Sequence, residues 1–356
     1  MAFKAAVGHT NLPNGNFSPV IFSKKAQLAF RRASVVNAVV NSDYFGELNA
    51  YGDSVRIIKE PEIQVREYAR GKVIQPQDLI DEDYTLVIDK AFEYAFQLED
   101  IEKAHSHIQW MALATDRAGF KLRDNYDSEV LAYLTGFKPS VVGGVGDTAR
   151  VLADMPGTRA VTTAGVDELL TSNKLNRGSF FAAGGDNSIP VEPRMPGATA
   201  KLTDRVSPLA LLARMSQRLD KQNVDKEGRW VIVDPAFEEM LRDEDSRILN
   251  SDFSDKGGLR NGMIGRKIHG FEVYSSNSLP SIGTGPSTVI ATAQNTNYGV
   301  IVAGHRSAVA AAENLTKTET FRSQETFADV VRGLHVYGRK ILRPEALIVA
   351  KWNLAS

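Results

Sequence analysis

The chain has 356 residues, 43% hydrophobic and 24% charged, the balance of a folded protein with a sizeable core and not of a disordered one. Its 42 basic and 43 acidic residues leave a formal net charge of -1, which excludes the strongly cationic footprint of a non-specific nucleic-acid binder. With no cysteine, disulfides, thiolate zinc sites and a cysteine nucleophile are excluded, in keeping with a reducing cytoplasm.

No apolar run reaches the roughly 18 to 20 residues that cross a bilayer, and the N-terminus lacks a signal core, so cytoplasmic synthesis without a membrane partner is expected. One hydrophobic core stops growing beyond about 250 to 300 residues, so two or three lobes are expected. Asn11, Pro13, Asn14, Gly15, Asn16 and Pro19 crowd residues 1–22 with turn formers and predict an extended arm. Ala26, Leu28, Phe30, Val35, Val36 and Val39 then predict a helix over 23–41, completing a first segment, 1–45. In segment 46–99, Val55 and Ile57, then Ile63 and Val65, alternate with polar neighbours, and the same period returns from Leu86 to Leu98. Two long strands follow from that period. Between them, 66–83 holds Gly71, Pro76, Asp78, Asp81, Glu82 and Asp83, too polar for a core and suited to a projecting hairpin tip.

Ile101, Ala104, Ile108, Met111, Thr115, Ala118 and Leu122 recur at spacings of three and four, which predicts a helix capped by Asp100 and ended by Gly136. Unbroken over 100–136, it would be about 55 Å long, although Asp124, Asn125, Asp127 and Ser128 favour a break. Residues 137–205 carry many glycines and read as loops or an inserted lobe, with a short helix near 166–174. Segment 206–316 opens with Ser207 and Pro208, a cap and first-turn pair before Leu211, Leu212, Met215 and Leu219. A strand at 230–233, a helix from Asp234 and Pro235, and strands at 270–275 and 288–293 follow. Segment 317–356 ends the chain in strands interrupted by Arg343 and Pro344.

Several phrases fit this order: 22–32 followed by Gly52, Asp53, Ser54 and Val55; RWVIVDP from Arg229; NGMIGRKIHGFEVYSS, with Asn261, Gly262, Gly265, Gly270, Phe271, Val273 and Ser275; and FADVVRGLHVYGRKILRP from Phe327. Arm, helix, hairpin, rod-like helix and mixed lobe together resemble the Hong Kong 97-type capsid fold of tailed-bacteriophage major capsid proteins, over nearly the whole chain apart from 137–205. The resemblance implies an α+β fold with an N-arm, an E-loop hairpin, a P-domain with a long spine helix, and an A-domain. It also implies a shell of hexamers and pentamers enclosing double-stranded DNA, with scaffolding, portal and decoration or cement proteins as partners and the virion capsid as location. An encapsulin-like nanocompartment is the alternative on the same fold, and a soluble hydrolase with a lid hairpin a distant one.

Candidate contact residues follow from the projecting parts, because two strands alone are marginal in water and gain by lying over a neighbour. They are Phe17, Val20, Ile21 and Phe22 on the arm and Val65, Tyr68 and Leu79 on the hairpin. Arg56, Arg66, Arg70 and Lys72 stand opposite the acidic run 78–83 and offer charge register. No catalytic, cofactor or metal residue is expected. His105 and His107 lie about 200° apart on a helix, Gly143, Gly144 and Gly146 lack the Lys-Ser/Thr of a P-loop, the acidic run lacks an EF-hand glycine, and no G-x-S-x-G elbow occurs. Trp110, Trp230 and Trp352 read as core or interface anchors.

Overall fold

Strand alternation and one long helix organise the protein, whose computed structural model describes residues 34–41, 54–58, 61, 63–71, 73, 76–78, 83–101, 110–141, 150–154, 168–181, 188–191, 205–241, 267–282 and 298–354. Phe17, Val20, Ile21, Phe22, Lys72, Leu79, His105, His107, the Gly143–146 loop and the strand expected at 288–293 lie outside these residues. In chain order the strands are β1 (Ser54–Ile58), β2 (Asp83–Glu99), β3 (Phe137–Val141), β4 (Arg150–Asp154), β5 (Lys174–Leu175), β6 (Ile189–Val191), β7 (Arg229–Val233), β8 (Glu272–Ser275), β9 (Ser281–Ile282), β10 (Tyr298–His305), β11 (Val309–Arg322), β12 (Ala328–Ile341) and β13 (Leu347–Leu354). The α-helices are α1 (Val36–Val39), α2 (Trp110–Thr135), α3 (Pro208–Lys221) and α4 (Pro235–Leu241).

One sheet of seven strands runs β5-β13-β10-β7-β8, with β6 also on β13 and β9 also on β10; a second sheet of four runs β1-β2-β12-β11; β3 and β4 pair with each other. The central strands of the seven-stranded sheet are apolar on both faces. Val302 stands opposite Ile232 and Val349, and these join Trp230, Val300 and Leu347 in one buried cluster with α1 and the C-terminal half of α2. The intervening residues Ala303, Val231, Ile348, Val233, Ile301 and Trp352 enter a second cluster with Leu211, Leu212, Met215 and Leu219 of α3 and Phe237 and Leu241 of α4. Helices therefore cover both faces of this sheet, each fully buried large apolar side chain contributing about 1.5–3 kcal/mol.

Helix α2 continues unbroken through the Asp124–Ser128 positions that favour a break, and Asp127 among them finds tertiary partners. Asp127 accepts from Ser34 Oγ at 2.9 Å and from the backbone N–H of Val35 at 3.2 Å, which ties down the start of α1. Burial raises the Asp127 carboxyl above its ordinary 3.8, against the pull of those two bonds. Gly136 ends α2 in the left-handed region, φ +70°, with its N–H donating to Ala132 O at 2.8 Å. Asp100 sits inside a helical turn at 100–101 and pairs with Arg322. Ser207 caps α3 as expected, accepting from Ala210 N at 3.2 Å with Pro208 in the first turn.

Three expectations need correction. Ile63 and Val65 lie in no strand, pair with no strand among the described residues, and stand 70% and 98% exposed. Of the helix expected over 23–41, the described part is one turn, with Val40 already extended, consistent with β-branched crowding. Of the stretch 166–174, the described residues 168–174 form a 3-10 turn at Thr171–Asn173 before β5. Strands β10 and β11 were not anticipated: Gly299 and Gly304 look like breakers in sequence, yet a Cβ on Gly299 would lie 2.5 Å from the Trp352 indole nitrogen and one on Gly304 2.9 Å from Ala346 O. These glycines serve close approach within a sheet. Within 137–205, β5 and β6 pair in parallel with β13 at the sheet edge.

Leu131→Ala and Leu211→Ala, both fully buried on opposite faces of the seven-stranded sheet, are each expected to cost about 2–5 kcal/mol in urea unfolding of the subunit. Because the folded Asp127 pKa lies above its unfolded value, the folded state holds the extra proton; the associated stabilisation is full below 3.8 and is lost as pH rises through the folded pKa. Wild type should therefore gain stability relative to Asp127→Asn as pH falls from 7 towards 4, and a pH-independent difference in unfolding midpoints would refute the assignment.

Candidate subunit-contact surfaces

The β1–β2 hairpin has the register Ser54↔Val87 to Ile58↔Asp83, leaving residues 59–82 as a long connection beyond the last pair. Gly71 turns in the left-handed region at φ +86°, and Gln64 N donates to Gln77 Oε1 at 3.0 Å across the connection. Val65 and Tyr68, 98% and 65% exposed, lie on this tip with Arg66 and Arg70, also exposed. Arg66 Nη2 reaches Gln64 Oε1 at 3.4 Å. Arg56 pairs with Asp83 of its own hairpin at 3.5 Å. An isolated exposed pair of this kind is worth about 0–1 kcal/mol.

The root of the hairpin is unusual. From Lys90 to Leu98, alternate β2 residues lie on the face that meets α2: Phe92 stacks on Tyr337, which packs edge-on against Tyr126 of the helix. The register then slips: Tyr337 pairs with Lys90 but Gly338 with Ile88, so Asp89 is the extra residue of a bulge. Beyond it, Tyr84, Leu86 and Ile88 belong to a separate cluster with Val55, Ile57, Ala310, Ala312 and Leu342, whereas Val309 and Ala311 face the α2 cluster. One residue has moved the apolar stripe of β2 to the opposite face of the sheet. Gly338 is required there, since a Cβ would lie 2.4 Å from Val87 O.

A buried polar seam joins this root to α2. Arg339, its side chain 3% exposed, donates to Glu129 of α2 and reaches Asp89 Oδ1 at 3.3 Å, with its guanidinium 4.6 Å from the centre of the Tyr133 ring. Tyr337 donates to Glu129 Oε2 at 3.2 Å; Tyr133 donates to Glu168 Oε2 at 2.8 Å and accepts from Ile341 N at 3.2 Å; Lys340 pairs with Glu168 at 3.1 Å. Burial raises the Glu129 carboxyl, opposed by Arg339 and the Tyr337 hydroxyl. Burial first, then Glu168, pushes the Tyr133 hydroxyl far up.

At the opposite end of the four-stranded sheet, Ser323 Oγ accepts from Glu325 N and Thr326 N in the β11–β12 turn, and Phe327 stands 82% exposed. Arg332 covers the Phe321 ring at 5.0 Å and pairs with Glu319 at 2.8 Å. Hydrogen bonds from Lys317 and Arg332 hold the Glu319 carboxyl down at about 2. Sequence reading missed this tip and the polar seam; FADVV was legible as a strand, but nothing local marks which end of a strand stands free. Trp230 and Trp352 are core anchors, whereas Trp110 remains half exposed.

Known structures share this architecture. One from Mycobacterium phage Che8 is 22% identical, with 94% of this chain and 97% of that chain covered and a TM-score of 0.64. The capsid structure of Cyanophage P-SCSP1u is 16% identical over 100% of both chains, TM-score 0.64, and the capsid of Ralstonia phage GP4 is 12% identical over 99% of both, TM-score 0.63. Among curated proteins none matches the chain. The likeness defines a mixed α+β protein of the Hong Kong 97-type capsid fold. Residues 83–350 match the family described as phage capsid protein, and the chain belongs to that family: it is a major capsid protein, a structural component of a virion shell.

Leu86→Ala, at the centre of the small cluster, should loosen the hairpin without unfolding the body. Amide exchange should quicken at 54–58 and 83–88 while β10 and β13 keep their protection; uniform quickening across both sheets would contradict a separate hairpin cluster.

Proposed function

We propose that copies of this chain close into an icosahedral shell of hexamers and pentamers around double-stranded DNA, assembled in the host cytoplasm with scaffolding, portal and decoration or cement proteins. The observation that carries the reading is the hairpin, whose tip exposes Val65 and Tyr68 with no buried apolar residue beneath them among the described residues. Such a projection gains stability by lying over a neighbouring copy, and a repeated heterologous contact sums modest energies into a closed object. Arg66, Arg70 and Lys72 act in charge register with a neighbour, Arg56 shares itself with Asp83, and Leu79 and the arm residues Phe17, Val20, Ile21 and Phe22 add apolar contact. The near-neutral chain suits enclosure of DNA without sequence reading.

The proposed division is an N-arm at 1–45, an E-loop with flanking strands at 46–99, a spine helix at 100–136, a loop-rich or inserted segment at 137–205, an A-domain at 206–316 and closing strands at 317–356. The role is structural, with no catalytic step assigned to any residue.

Expression with its scaffold should yield closed particles of uniform size by electron microscopy; a strictly monomeric product under those conditions would overturn the proposal. Val65→Asp combined with Tyr68→Asp should cut particle yield about tenfold or more, because a small loss at one contact is repeated at every copy. Subunit unfolding midpoints should hardly change, because both side chains are exposed.

A further inference from the structure

The β1–β2 hairpin leaves the body at the Asp89 bulge, and a bulge by itself bends and twists a strand without fixing the angle. Here the bulged residue is tied. Arg339 forks between Asp89 Oδ1 at 3.3 Å and Glu129 of α2, and Glu129 is held in turn by the Tyr337 hydroxyl at 3.2 Å. A planar guanidinium seated over Tyr133 presents its donors in a fixed plane, which a lysine would not do. On the far side of the sheet, Leu86 and Ile88 are clamped by Ala310, Ala312 and Leu342. The bulge is thus gripped on one face by a charged fork and on the other by a small apolar cluster.

We infer that Asp89 and Arg339 are positioning residues that set the direction in which the hairpin projects, by tying the bulge to helix α2. The significance for assembly rests on the proposed reading that the hairpin covers a neighbouring copy. A misdirected hairpin would reach its neighbour at the wrong angle, and the error would repeat at every contact in the shell. Asp89 is half exposed and has a second partner in Lys90 at 3.5 Å, so its replacement opens no cavity and leaves Arg339 paired with Glu129. The effect of removing it is directional and separable from folding.

The cysteine-free chain permits a direct test on the full-length subunit. Ile58→Cys, at the outer end of β1, and Asn125→Cys, on the exposed side of α2, carry spin labels whose separation is read by pulsed electron spin resonance. The parent should give one narrow distance distribution. Asp89→Ala should at least double its width or move its centre with a nearly unchanged melting temperature, and Asp89→Glu should restore the parent distribution. An unchanged distribution in Asp89→Ala overturns the inference. With scaffold present, Asp89→Ala should also give particles of irregular size. Altered distances with normal, uniform particles would support the positioning role while overturning the reading of the hairpin as a shell contact.

Discussion

Three central strands, β7, β10 and β13, are apolar on both faces, and a sheet of that kind must be covered twice. Helices α3 and α4 cover one face; the C-terminal half of α2, with α1, covers the other. Because the cluster on the α2 side also takes in Tyr337, Ile341, Val309 and Ala311, the helix is packed against both sheets at once. The four-stranded sheet is thereby anchored at its root and extends outward from it, which leaves two ends, the β1–β2 tip and the β11–β12 turn, outside the main core. Projection is a consequence of where the double-sided core stops.

The interface between α2 and the four-stranded sheet is partly ionic. Arg339, Glu129, Asp89, Lys340 and Glu168 form a seam beside Tyr133 and Tyr337. Buried ion pairs are weak sources of stability, because desolvation offsets their attraction. What they add is direction: a hydrogen-bonded fork admits one geometry where an apolar contact admits several. For a shell subunit this distinction matters, since the angle between body and projection is repeated throughout the assembly. Asp127 plays a comparable part for α1, holding the turn by two bonds to Ser34 and Val35.

Much of the fold was legible because its signals are local. The Ser207–Pro208 start, the Gly136 stop and the two-residue period from Leu86 to Leu98 each act within a few residues, and the structure follows them. The surroundings of the candidate contact residues were less legible. Val65 alternates with polar neighbours as a strand residue would, yet alternation does not supply a partner, and it stands exposed. Arg56 looked available and is engaged by Asp83. Phe327 sits in a recognisable strand phrase, but whether a side chain is covered depends on what else packs there.

The absence of cysteine chemistry, the presence of a long helix after a long hairpin and the capped start of α3 were determined by sequence alone, because periodicity, capping and composition are properties of neighbouring residues. Tertiary structure decided that Gly299 and Gly304 make room for Trp352 and Ala346 and do not end a strand, that β5 and β6 join β13, and that Asp89 is the point where β2 changes face. Each of these depends on residues brought together from distant parts of the chain, and a bulge leaves no mark on the strand that carries it: the alternation of β2 continues unbroken through Asp89, and only the register of β12 beside it shows that the faces have been exchanged.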